Sequence, residues 1–220
     1  SGNSTLSTHT NMYDLIPKKY LNKADNPNYE LHHIELPFRM VVVAPSGSGK
    51  TNFIIDFIRR CCQGGGTFTD IHIVTQNSDE PLYNWMKEVD GITITEGLNT
   101  LPPLDGFEKR ENHFVVIDDM ITNKNLKPVS EYYIRARKLN VSVAFLTQSY
   151  YDTPTMIRKN SNYLVVLDLG GSNREIKAIL SDWAGELDKS VLFKMYHDAV
   201  SVPLRPFLSL IHISEPTRPE

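Results

Sequence analysis

Cysteine is nearly absent. The chain of 220 residues has two, Cys61 and Cys62, and they are adjacent. Neighbouring cysteines rarely bridge and nothing else is available to pair with, so a disulfide framework is excluded and a reducing, intracellular compartment is expected. No apolar run approaches the roughly 20 residues that cross a bilayer, and no signal-peptide pattern opens the chain; no membrane partner is expected. An excess of one charge sign is missing too. Lys and Arg number 23 against 26 Asp and Glu, a net charge of −3. Such a balance gives no bulk pull toward nucleic acid, so any such contact has to come from local loops or from an assembled ring. His32, His33, His72 and His113 form no ligand spacing with the cysteines, so no structural zinc is expected. There is no internal repeat.

What remains is the composition of a folded domain, and the length suits one core plus extensions. Residues 1–31 read as an N-terminal extension, partly disordered, because SGNSTLSTHTN is small and polar with no apolar period. Residues 32–207 read as the domain itself. Phe38–Ala44, Asp70–Thr75, Gly91–Thr95, His113–Asp119, Val141–Gln148 and Asn162–Leu169 are apolar or β-branched runs that predict strands. Helices are predicted over Lys50–Cys62, Pro81–Val89, Leu126–Leu139, Ser172–Trp183 and Lys189–Ala199, with a helical turn at Pro154–Lys159 and one more within the loop Glu96–Glu111. Continuous apolar strands alternating with helices imply an α/β fold with a mainly parallel sheet covered on both faces.

The chemistry starts at Val41–Thr51, VVVAPSGSGKT. A strand that runs through G-x-x-x-x-G-K-[ST] into a helix is the P-loop arrangement, a phosphate-binding loop. Here Pro45, Ser46, Gly47, Ser48, Gly49, Lys50, Thr51 and Asn52 would surround ATP. Gly47 and Gly49 let backbone amides face the phosphates, and the helix start adds free N–H groups and partial positive charge. Lys50 would reach the β- and γ-phosphates, and the Thr51 hydroxyl would bind Mg²⁺. Ala44 stands where the pattern has its first glycine, which is tolerable if φ is negative there. Downstream, FVVIDD is a hydrophobic strand ending in acids, the Walker B arrangement. Asp118 would hold the metal, and Asp119 would polarise a water for attack on the γ-phosphate. The plain alternative for Asp119 is a strand-end Asp capping a turn. Gln148 ends the VSVAFLTQ strand, where ligands sit in open α/β sheets, and could orient that water.

In this order, APSGSGKT, FVVIDD and RARKLNVSVAFLTQSYYDTPTMIRKNSNYLVVL resemble the genome-packaging ATPases of the FtsK–HerA superfamily, nearest the poxvirus, virophage and Polinton-type branch. The tract with LTQ, a proline and then IR-x-N carries more of the resemblance than the phosphate loop, which many families share. The resemblance implies an additional-strand P-loop NTPase, RecA-like, with the LTQ strand between the P-loop and Walker B strands. It also implies a ring, hexameric in expectation, that threads double-stranded DNA into a capsid with capsid or portal partners, in a virion or in the virus factory of a host cytoplasm. Such rings place an arginine against the neighbouring subunit's γ-phosphate, worth roughly 10³–10⁵ in rate. Arg158 is the first candidate, Arg137 the second and Arg135 the third; a solvated helix face or an ordinary salt bridge is the alternative for each.

Residues Thr122–Lys127 and the GGSNR stretch ending at Arg174 are candidate DNA loops, although loop cations are usually only solvated. Tyr150 and Tyr151 are expected to pack rather than stack on bases. Two other readings of the phosphate loop stay open: a nucleotide kinase, which would need an arginine-rich lid, and a nucleotide-dependent assembly switch without turnover. Finally, Leu208–Arg218, LSLIHISEPTR, resembles a translated adapter from transposase-based sequencing libraries, so residues 208–220 are expected to be a non-native tail. The alternative is a real strand, since SLIHI alternates.

Overall fold

The computed structural model describes residues 24–63, 66–203 and 205–210, together with Pro17. Seven strands form its centre: Arg39–Val43 (β1), Asp70–Thr75 (β2), Ile92–Glu96 (β3), His113–Asp118 (β4), Val141–Thr147 (β5), Tyr163–Val166 (β6) and Phe207–Leu210 (β7). They lie in the order β3-β2-β4-β5-β1-β6-β7. The first six pair in parallel, and β7 runs antiparallel to β6. The LTQ strand β5 lies between β1 and β4, as the resemblance implies.

The helices are Tyr29–His32 (α1), Lys50–Cys61 (α2), Pro81–Met86 (α3), Lys127–Arg135 (α4), Thr155–Asn160 (α5), Asn173–Trp183 (α6) and Lys189–Val200 (α7). Their placement follows from the period of two in the strands. Val41 and Val43 of β1 face one core, while Met40, Val42 and Ala44 face the other. The first core is closed by α4, α5, α6 and α7 through residues such as Tyr133, Ile157, Ile179 and Leu192. The second is closed by α2 and α3 through Ile54, Phe57, Ile58, Tyr83 and Met86. Because both faces are buried, the strands read as unbroken apolar runs.

Several boundaries differ from expectation. The strand expected to run to Asp119 stops at Asp118, because Asp119 turns to φ 56°. The one expected to reach Gln148 stops at Thr147. The predicted helix Leu126–Leu139 changes at Ala136 to a 3-10 turn, which ends at Asn140 with φ 54°. The loop after β3 holds two 3-10 turns rather than one. The α1 turn was not expected: Asn28 just before it is buried and donates to the Cys61 carbonyl at 2.7 Å and to Thr67 Oγ1 at 3.0 Å. At the other end, Leu208–Leu210, the start of the expected tail, hydrogen-bond beside β6; residues 211–220 lie outside the described residues, as do residues 1–16.

Candidate active site

The parallel strands β1, β4 and β5 all end at one edge of the sheet, and the predicted residues follow from their ends. After β1 the chain folds over itself, with the Ser48 amide donating to the Pro45 carbonyl at 3.1 Å. Gly47 at φ 78° and Gly49 at φ 91° adopt left-handed backbone that a Cβ would strain. Ala44 is not among the three described non-glycine residues with positive φ, so the missing first glycine carries no strain. Its amide donates to the Thr147 carbonyl at 2.9 Å, tying the loop's entrance to β5.

Lys50, in the first turn of α2, leans toward β4. Its Nζ lies 2.9 Å from Asp118 Oδ1 and 4.0 Å from Asp119 Oδ1. The Asp118 side chain is only 2% exposed, whereas that of Asp119 is 40% exposed. The Gln148 side-chain amide donates to Asp119 Oδ1 at 3.3 Å. Lys50, Asp118, Asp119 and Gln148, read from three separate stretches, therefore form one constellation at the mouth of the phosphate loop.

Residues 29–197 match the Poxvirus A32 protein family. The chain belongs to that family. Among curated relatives, the DNA packaging protein OPG160 of variola virus is 26% identical over 157 residues, covering 64% of this chain and 57% of its own length. The same figures hold for its vaccinia virus counterpart (strain Copenhagen). This family member thus spans a little over half of the curated relatives that it matches. Among solved structures, the genome packaging NTPase B204 of Sulfolobus turreted icosahedral virus 2, in complex with ATP-gammaS, superposes with TM-score 0.55 at 11% identity, over 81% of this chain and 94% of that one. ATPases 2 and 3 of EssC from Geobacillus thermodenitrificans superpose with TM-score 0.56 at 9% identity, over 79% and 38% of the two chains. These likenesses establish the P-loop NTPase fold.

The phosphate-loop fold implies a divalent ion such as Mg²⁺ beside the nucleotide, and the donor set fits one. Asp118 Oδ1 is buried and has no hydrogen bond, with the Lys50 ammonium as its neighbour. Thr51 Oγ1 is close by on α2, against the Tyr83 hydroxyl that also touches Asp118. A hard cation takes such oxygen donors.

Three residues of the site were missed. Tyr83 is fully buried and donates to Asp118 Oδ2 at 2.7 Å. Burial first, and then the Asp118 carboxylate, push its phenol far above the ordinary range, so it remains a donor. Thr75, at the end of β2, donates to the same oxygen at 3.4 Å. Glu80 accepts from Thr51 Oγ1 at 3.0 Å. No sequence signal marked them: that β2 lies beside β4 emerges only from the sheet order.

The arginines sit apart from this constellation. Arg158 on α5 donates to the Thr153 carbonyl at 3.0 Å, stacks over Tyr150 and Tyr151 at 5.0 and 5.5 Å, and lies 3.8 Å from Asp182. Arg135 pairs with Asp105 at 3.2 Å. Arg135 and Arg137 both precede the start of β5, at the sheet edge opposite the phosphate loop. Tyr150 is buried and accepts from Trp183 Nε1 at 2.7 Å, so it packs as expected, while Tyr151 is 46% exposed. Of the candidate DNA residues only Lys124 lies in a loop, after β4; Lys127 opens α4 and Arg174 lies in the first turn of α6, which follows β6, on the same edge as the phosphate loop.

Proposed function

We propose that this chain is an ATP-hydrolysing subunit of a motor that packages double-stranded DNA into a viral particle. The observation that carries the reading is the convergence of Lys50, Asp118, Asp119 and Gln148 on one phosphate loop in a member of the Poxvirus A32 family. The name of the curated relatives, DNA packaging protein, supports the DNA half of it. The B204 complex with an ATP analogue supports the nucleotide half.

In this reading Lys50 exchanges partners. Without nucleotide it neutralises Asp118 and Asp119; with nucleotide it turns to the β- and γ-phosphates. The backbone amides of residues 46–52 hold the remaining phosphate oxygens. The exchange frees Asp118 Oδ1 which, with Thr51 Oγ1, would hold Mg²⁺. When bound, that ion supplies charge neutralisation at the β- and γ-phosphate oxygens. Asp119, exposed and directed by the Gln148 amide, accepts a proton from the attacking water, and Gln148 orients it. Asp119 and Gln148 together favour water over a nucleoside monophosphate as acceptor, which sets the kinase reading aside. A ring of subunits, six in our reading, would bring Arg158 of one subunit to the γ-phosphate of the next. Lys124 in the loop after β4, Lys127 at the start of α4 and Arg174 in the first turn of α6 would face the DNA, with a capsid or portal protein as docking partner in the virus factory or virion.

The test is the ATP hydrolysis rate with and without duplex DNA. Stimulation by DNA is expected. Transfer of phosphate to a nucleoside monophosphate, or tight binding with negligible turnover, would contradict it.

A further inference from the structure

A carboxylate outside both motifs reaches the same place from another element. Glu80 lies at the start of α3, half-buried, and its Oε2 accepts the Thr51 hydroxyl proton at 3.0 Å. Three residues later, Tyr83 donates to Asp118 Oδ2 at 2.7 Å. Glu80 is the extended residue just before α3 and Tyr83 lies in the first turn of that helix, so the two side chains leave the same helix end. That end meets Thr51 and Asp118, the two residues suited to the cation.

We propose that Glu80 is a positioning residue for the divalent cation that accompanies ATP, with Tyr83 holding the second ligand beside it. The proposal rests on the nucleotide-binding reading above. A hydroxyl ligates a cation through an oxygen lone pair, so its proton has to point elsewhere. Glu80 accepts that proton, which leaves lone-pair density on Thr51 Oγ1 available to a cation. Tyr83 acts alike on Asp118: it occupies Oδ2, and Oδ1 is left buried without a hydrogen bond, beside Lys50. Partners of this kind fix the orientation of metal ligands and raise their affinity.

Glu80 also sets a sign. Together with Asp118 and Asp119 it makes three carboxylates around the loop, which oppose a bare triphosphate and favour a triphosphate carrying a divalent ion. A residue that merely props the fold would affect both forms alike.

The experiment measures binding of a fluorescent ATP analogue to the full chain, in EDTA and in Mg²⁺, with no hydrolysis readout. In the parent, Mg²⁺ tightens binding. In Glu80→Gln the gain from Mg²⁺ shrinks by about tenfold, while affinity in EDTA stays level or improves because a repelling charge is gone. Tyr83→Phe shrinks the gain in the same direction, and Glu80→Asp, which keeps the charge, restores part of it. Equal loss in EDTA and Mg²⁺ for Glu80→Gln, or an undiminished gain, overturns the proposal. A parent chain that binds ATP in neither condition overturns the nucleotide reading and this inference with it, so the two failures are told apart.

Discussion

Asp119 is held in a backbone shape that few side chains adopt. With φ 56° it sits in the left-handed region, which costs a non-glycine residue about 1 kcal/mol or more. Its amide bonds the Leu146 carbonyl at 3.3 Å and its carboxylate is turned outward to Gln148. The strain therefore aims a charge at the mouth of the loop. Asp119→Gly should leave stability level or raise it by about 0.5–1 kcal/mol, and Asp119→Asn should retain Mg-ATP. Both should lose roughly a hundredfold or more in turnover; chemical denaturation and steady-state hydrolysis check the two halves. Lys50 has a stability role as well as a binding one. Lys50→Ala strands a carboxylate that is only 2% exposed, and should cost the nucleotide-free protein about 2–3 kcal/mol, discounted from a wholly buried pair because Tyr83 and Thr75 still bond Asp118. It should also abolish turnover. Adding Asp118→Asn should recover most of that stability but no activity, a coupling that a double-mutant cycle measures. Cys61 offers no such handle: burial, with Cys62 beside it, pushes its thiol up to about 12, which keeps it protonated and inert.

Element by element, the connection before β1 is more firmly docked than its polar composition suggests. Asn28 bridges the end of α2 to Thr67, and Asn28→Ala should cost about 1–3 kcal/mol by leaving buried groups unpaired. His32 closes the same turn by accepting the Ile34 amide on Nδ1 at 2.9 Å, which requires a neutral ring. Burial first, and then His33, hold its pKa below the ordinary 6.5. The unfolded chain therefore takes up the proton first. Stability is level above about pH 6.5, falls as pH drops from there to the lower folded value, and is level again below. His32→Asn, whose side-chain oxygen can accept the same amide, should flatten that slope in unfolding measurements across pH 5 to 8.

These elements also show why parts of the site were readable and others not. The β1–loop–α2 unit, β4 and β5 announce themselves because strand, turn and ligand residues are contiguous and local geometry dictates their use. Glu80 and Tyr83 are not contiguous with anything they serve. Their role exists only because β2 pairs with β4 in a register that sets Thr75 beside Asp118, and sheet order is a long-range outcome. The α1 turn was hidden for another reason: four residues, none of them buried, carry no period. Arg158 was legible as a cation near the right strand, but its cradle of Tyr150, Tyr151 and Asp182 depends on α6 folding back over the loop after β5.

For the molecule as a whole, the sheet gathers the candidate nucleotide residues, Gln148 and the candidate DNA-contacting cations along one edge, so in the proposed motor a change at the γ-phosphate would have a short path to those cations. If Arg158 acts between subunits, Arg158→Ala should be inactive alone yet regain hydrolysis when mixed with Asp119→Asn, since a mixed interface restores one complete site. No regain would return Arg158 to the intrasubunit role that its stacking on Tyr150 and Tyr151 already supports. The measurement closest to the central claim is ATP-driven displacement of a third strand from duplex DNA by the parent chain. The account predicts displacement that requires ATP and vanishes in Asp119→Asn. ATP hydrolysis without displacement, or displacement that survives Asp119→Asn, would contradict it.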